Sequence, residues 1–271
     1  MRSIAKFYPQ KDKDTVEEIV KKVQNSNLDG LTVTYEANGE AHYHSRYLPY
    51  SGFSLKELKK SLNKNRLELG LVAPFFFSEG IWENSPTKRA KIGFKDWPAT
   101  NWYRPLCPVY PGLFEERLAM LLEAVEEIEP DFVGLDFFRF PLFWEELDEK
   151  MQLITCDCPN CPAKGRRTEV IYQYAIKVKE ALASLPIMIH MVPFVDENTI
   201  KVTGQDPKLL TNVLDSLSPM LYSNLLKRED SFIYTTLEKL AAYKIWPSLE
   251  IAKREINLPR SYDKILYFYL A

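Results

Sequence analysis

Short apolar runs alternate with amphipathic stretches along the chain. The runs Ile4 to Tyr8, Leu28 to Glu36, Leu67 to Phe76 and Asp131 to Phe138 read as strands, as do Ile187 to Val195, Leu217 to Tyr222, Ile245 to Ile251 and Lys264 to Leu270. Helical signals fall between them. Asp14 with Glu17, and Ser54 with Glu57, have capping-box spacing. Phe114 to Glu129 places Leu118, Leu121, Leu122 and Val125 at helical intervals. Thr168 to Leu185 and Asp230 to Tyr243 read as helices, and Asp206-Pro207 is a helix start. Eight strands with helices between them predict a parallel sheet closed on itself, a (β/α)8 TIM barrel of the α/β class. An open doubly wound sheet is the alternative, weakened because no glycine-rich phosphate loop follows a strand. The loops after the third and fourth strands are long. The whole chain, 1-271, is expected to form one barrel domain, without its last helix if it ends at Ala271.

Barrel strands are buried on both faces, and side chains alternate between the bore and the helical layer. In DFVGLDFFRFP, Val133, Leu135 and Phe137 share one face, and Gly134 and Asp136 the other. A small residue followed by a carboxylate suits the bore, with Asp136 at the C-terminal rim where barrel enzymes carry their chemistry. In the seventh strand, Trp246, Ser248 and Glu250 form the inward set. Ser218, Met220 and Tyr222 do so in the sixth, and Gly30, Thr32, Thr34 and Glu36 in the second. Two carboxylates across a cleft can hydrolyse a glycosidic bond, with retention at about 5–5.5 Å separation and inversion at about 6.5–9.5 Å. Asp136 and Glu250 are the expected catalytic pair. The plainer reading of Asp136 is a structural acid held by Arg139 or Arg104. Expected substrate contacts are Arg139, Tyr222, Trp102, Trp144, His44 and Glu36.

Composition narrows the partners. The 271 residues carry a net charge of −2. Nothing in that balance favours nucleic acid. No stretch reaches the ~18 apolar residues of a membrane span, so a cytoplasmic protein with no membrane partner is expected. Three of the four cysteines crowd into Cys156-Asp-Cys158-Pro-Asn-Cys161, and Cys107 lies in the preceding long loop. That spacing favours a four-thiolate structural zinc over a disulfide framework. No organic cofactor is indicated. Two other readings stay open. One is a metal-dependent hydrolase built on His42, His44 and Asp136. The other is a carbohydrate-binding barrel without catalysis.

The arrangement of Cys107, Cys156, Cys158 and Cys161 resembles the zinc cluster of the family 42 β-galactosidases. CPVYPG, DFVGLDFFRFP, LSPMLYS and IWPSLEI resemble segments of glycoside-hydrolase-like barrel proteins, over most of Cys107 to Ile251. The resemblance implies a TIM barrel acting on a glycosidic bond in an oligosaccharide or glycoside. In the clan containing family 42, the acid ends strand four and the nucleophile strand seven, where Asp136 and Glu250 stand. That clan places Asn-Glu on strand four, whereas this chain has Leu135-Asp136. In barrels with an aspartate nucleophile on strand four, Asp136 would attack, and Glu145, Glu146, Asp196 or Glu250 would be the acid.

Overall fold

A computed structural model describes residues 1–7, 15–93, 95–96, 103–142, 154–253 and 256–268. Eight parallel strands close into a barrel: β1 (Arg2–Phe7), β2 (Gly30–Thr34), β3 (Glu68–Pro74), β4 (Phe132–Asp136), β5 (Ile187–Met191), β6 (Ser216–Leu221), β7 (Ser248–Glu250) and β8 (Lys264–Phe268). Each strand pairs with its sequence neighbours, and β8 closes onto β1. The expected (β/α)8 barrel is therefore the fold. Among the described residues, the helices are α1 (Val16–Asn25), α2 (Leu55–Lys64), α3 (Glu79–Asn84), α4 (Leu113–Ile128), α5 (Arg167–Ala181), α6 (Glu197–Thr203), α7 (Pro207–Leu210) and α8 (Ser231–Lys239).

Several boundaries differ from the sequence expectation. The first capping box is one residue later: Thr15 Oγ1 accepts the Glu18 amide and the Glu18 carboxylate accepts the Thr15 amide. Sequence spacing alone could not separate this pair from Asp14 and Glu17, since both satisfy the same rule. Strand β7 is only three residues long. Pro247, without an N–H, precedes it, and Ile245 meets Leu217 in an isolated bridge. The helix that Asp206 caps and Pro207 begins lasts four residues.

The bore is layered. At its floor Ile4, Phe132, Met188, Trp246 and Leu266 pack together. Two glycines make room for Phe132 and Met188. A Cβ on Gly70 would lie 2.3 Å from the Phe132 ring, and one on Gly134 would lie 2.5 Å from Met188 Cε. Each glycine is the register partner, on the neighbouring strand, of the side chain it admits. Outward residues such as Val133, Leu135 and Leu249 join the larger apolar layer between sheet and helices. Above the floor the inward positions turn polar, with Lys6, Thr32, Asp136, His190, Ser218 and Ser248 all buried. No described helix is long and apolar enough to cross a membrane.

Candidate active site

Asp136 is the last residue of β4 and only 6% exposed. An isolated carboxylate in such a place would neutralise itself. Here Lys6, inward on β1 after Ile4, reaches across the bore and puts Nζ 2.9 Å from Asp136 Oδ2. The Phe137 amide donates to Oδ1 at 2.9 Å. That amide is aimed by an unusual backbone, since Phe137 has φ +51°, a left-handed conformation costly for an aromatic residue. Its ring stacks on Phe77 at 4.7 Å, which helps hold the turn. Burial works against the charge, but Lys6, His190 and these hydrogen bonds outweigh it and bring the Asp136 pKa down to about 2. Asp136 is an anion across the ordinary pH range.

His190, on β5, shares a register row with Asp136, since Gly134 pairs with Met188 two residues earlier on each strand. It is 1% exposed, and among the described residues neither ring nitrogen has a hydrogen-bond partner. Burial lowers its pKa to about 4, so the imidazole is uncharged beside the Asp136–Lys6 pair.

Glu250 ends β7 and is buried. Its Oε2 accepts the Asn224 amide and its Oε1 the Leu225 amide, each at 2.9 Å. It thus anchors the loop after β6. Tyr222 begins that loop, its hydroxyl 2.9 Å from Ser248 Oγ and its ring stacked on Phe268 at 4.9 Å. Arg139 is buried, and its guanidinium lies 3.5 Å from the Tyr103 hydroxyl and 3.4 Å from the Phe140 and Leu142 carbonyls. The residue that holds Asp136 is therefore Lys6, not Arg139 or Arg104.

Two expected contacts lie elsewhere. Glu36 forms a bidentate pair with the fully buried Arg117, at 2.9 and 3.0 Å. Arg117 also donates to the Phe75 and Pro74 carbonyls, so the pair fastens α4 to the end of β3. His44 is exposed, its ring 4.5 Å from that of Tyr50. His42 Nδ1 lies 2.7 Å from Ser51 Oγ. His42, His44 and Asp136 are thus not gathered around one point. Trp102, Trp144, Glu145 and Glu146 lie outside the described residues.

The four cysteines do converge. Cys107 comes from the loop after β3, and Cys156, Cys158 and Cys161 from the loop after β4. All four sulfurs lie within 4.8 Å of one another. Cys107 Sγ is 3.4 Å from Cys158 and 3.8 Å from Cys161, and Cys161 is 3.5 Å from Cys156. These distances exclude S–S bonds, which measure about 2.05 Å. They match the ~3.8 Å edge of a tetrahedron with metal–sulfur bonds of about 2.3 Å. The site is compatible with a metal ion. Among the described residues, no other group of three or more Cys, His, Asp and Glu is placed to hold one. Buried Arg167 stands behind the cluster, donating to the Cys156 and Val202 carbonyls and Thr155 Oγ1 and lying over the Phe140 ring at 4.5 Å.

Alternation put Asp136 and Glu250 inward and spacing gathered the cysteines, but neither singled out Lys6 or His190. Lys6 had a signal: it shares a face with Ile4 in an otherwise apolar strand. That carried weight only once β1 was known to face β4 across a closed bore.

No protein-family model matches the chain, and no curated protein matches it by sequence. Solved structures share the fold. The glycoside hydrolase domain of PgaB (BpsB) from Bordetella bronchiseptica aligns with TM-score 0.73 at 10% identity, over 99% of this chain and 94% of that one. Alpha-L-fucosidase isoenzyme 2 from Paenibacillus thiaminolyticus aligns with TM-score 0.62 at 13% identity, over 92% of this chain and 40% of that one. A hypothetical protein from Ruminiclostridium thermocellum aligns with TM-score 0.54 at 14% identity, over 68% and 96%. The chain is thus similar in fold to glycoside hydrolases with a TIM barrel.

Proposed function

We propose that the protein hydrolyses a glycosidic bond in an oligosaccharide or glycoside, with Asp136 as the carboxylate that works at the anomeric carbon. The carrying observation is the charge state of Asp136. A buried carboxylate at the rim end of β4, held ionised by Lys6 and the Phe137 amide, is suited to attack carbon or deprotonate water. The same features make it a poor proton donor. Among the two roles left open by the sequence, the acid role is disfavoured.

Glu250 is the second carboxylate on the inner wall at this rim, and we assign it the partner's role. Both its oxygens accept backbone amides of the loop after β6, so this carboxyl and that loop are held together. We keep Tyr222 and Arg139, both buried just beyond the ends of β6 and β4, in the role of substrate contacts. The fold shared with glycoside hydrolases supports this reading at the level of architecture only.

Zinc is the metal that four thiolates at these separations suit best. With all four positions filled by protein, the ion would be structural, tying together the loops after β3 and β4. Unbridged thiols at such spacing also suit a reducing, cytoplasmic compartment.

The test is a panel of aryl glycosides and oligosaccharides run with wild type and Asp136→Asn. We expect turnover of at least one glycoside by wild type and a loss of roughly a thousandfold in the variant. Equal turnover by the two proteins would remove Asp136 from the mechanism.

A further inference from the structure

The crossover from β5 to β6 carries only the short helices α6 and α7. Beside it, the loop after β5, the loop after β6 and one face of α8 enclose a cleft of about 550 Å³. That volume is within the usual range for a small-molecule site. Phe232, Thr235, Thr236 and Lys239 line it at helical spacing, so the cleft follows α8 for about 10 Å. Both loops lie at the rim that carries Asp136. Phe194, a cleft residue, also packs on the cluster containing Met220 and Tyr222, so one wall is shared between cleft and mouth.

Three cations, Lys227, Arg228 and Lys239, line this cleft. None of them takes part in an ion pair among the described residues. Two acids, Asp196 and Glu229, share the wall, so three cations face two carboxylates and the lining keeps a net positive charge. Asp196 is committed to the N-terminus of α6, accepting the Thr199 amide at 3.0 Å and hydroxyl at 2.7 Å. Phe194 and Phe232 add an apolar wall, with ring centroids 5.9 Å apart. Such rings can pack against the C–H face of a sugar, while Ser231 and Thr235 supply hydroxyls.

We propose that this cleft is an accessory subsite for a saccharide bearing an anionic substituent, a carboxylate or a sulfate. This rests on the carbohydrate reading above and adds a substrate class to it. The aromatic pair holds the ring, and Lys227, Arg228 and Lys239 hold the anion. The loop that carries Lys227 and Arg228 is the one Glu250 grips by two amides, so a ligand here bears on the rim through the same segment.

Calorimetric titration of the full chain tests the proposal. The probes are a galacturonic acid tetramer, a sulfated glucose tetramer, the neutral glucose tetramer and a tetraglutamate peptide. We expect at least one of the two anionic saccharides to bind ten times more tightly than the neutral one. Binding should weaken as salt is raised. Arg228→Ala with Lys239→Ala should weaken it at least tenfold, while turnover of a small aryl glycoside stays unchanged. A preference for carboxylate or for sulfate identifies the anion. Equal binding of neutral and anionic tetramers, indifference to the double substitution, or equal binding of the peptide would overturn it. Asp136→Asn keeps the cleft intact, so failure of the glycosidase reading shows in turnover and failure of the subsite shows in binding.

Discussion

At the scale of single residues, Asp136 depends on a partner three strands away around the barrel. Lys6→Met leaves a buried carboxylate uncompensated, and breaking such a pair costs about 3–5 kcal/mol. Urea denaturation should show this loss, and adding Asp136→Asn to Lys6→Met should recover most of it. Recovery below half would mean that Lys6 stabilises the barrel by packing instead. Acid stability tests the neighbouring imidazole. His190 has a pKa of about 4 in the folded protein against the 6.5 ordinary for an exposed imidazole. Between those values the unfolded chain binds a proton that the folded chain does not. Stability therefore falls as pH drops from about 6.5 to 4, by about 3 kcal/mol for this residue. His42, also lowered to about 4 by burial, contributes in the same window. Asp136 acts lower: its contribution is complete above 3.8 and is lost as pH falls through about 2. His190→Gln should flatten the slope between pH 6.5 and 4 and leave the steeper loss below pH 4. An unchanged slope would show that His190 is not held neutral.

At the scale of elements, glycines on the strands set how the bore is filled. A Cβ on Gly30 would lie 2.3 Å from the Glu68 carbonyl oxygen, which is backbone on the adjacent strand. On Gly134 it would meet the flexible end of Met188. Gly30→Ala should therefore destabilise by more than the ~1–3 kcal/mol usual for overpacking, and Gly134→Ala by less than Gly30→Ala. Thermal denaturation of the two variants gives the order, and the reverse order would contradict this packing. Alternation of side chains was enough to place Gly134, Asp136 and Glu250 inward, because a strand buried on both faces has a period of two and little freedom. It did not show that Glu36 would meet Arg117. Glu36 continues the inward alternation of β2, yet it lies beyond the end of the strand in a two-residue hairpin, where period-two reasoning no longer fixes direction. Strand ends were legible only within a few residues, since Pro247 and the short β5 are settled by pairing partners distant in sequence.

At the scale of the molecule, the cysteine cluster joins two long loops that arise from adjacent strands. Four sulfurs on separate loops at 3.4–3.8 Å form one mechanical unit if they share an ion. One zinc per chain is expected by elemental measurement, with four thiols protected from alkylation. Chelation under denaturing conditions followed by refolding without metal should lower the melting temperature and expose all four thiols. Protein free of metal with an unchanged melting temperature would contradict a structural ion. The convergence itself was readable from sequence, because strand order places the loops after β3 and β4 side by side. The mouth they shape is where sequence said least. Lys6 reaches Asp136, and Glu250 the amides of Asn224 and Leu225, only through pairings and closure distant in sequence.

In the proposed reaction Asp136 supplies the negative oxygen that reacts at carbon or activates water. Asp136→Ala removes that oxygen and leaves room for a small anion. The direct measurement is turnover of the best aryl glycoside by this variant, with and without added azide. We expect turnover at least about a hundredfold below wild type, raised by azide with a glycosyl azide as product. Turnover by Asp136→Ala equal to wild type, or an inactive variant that azide leaves inactive and yields no glycosyl azide, would contradict it.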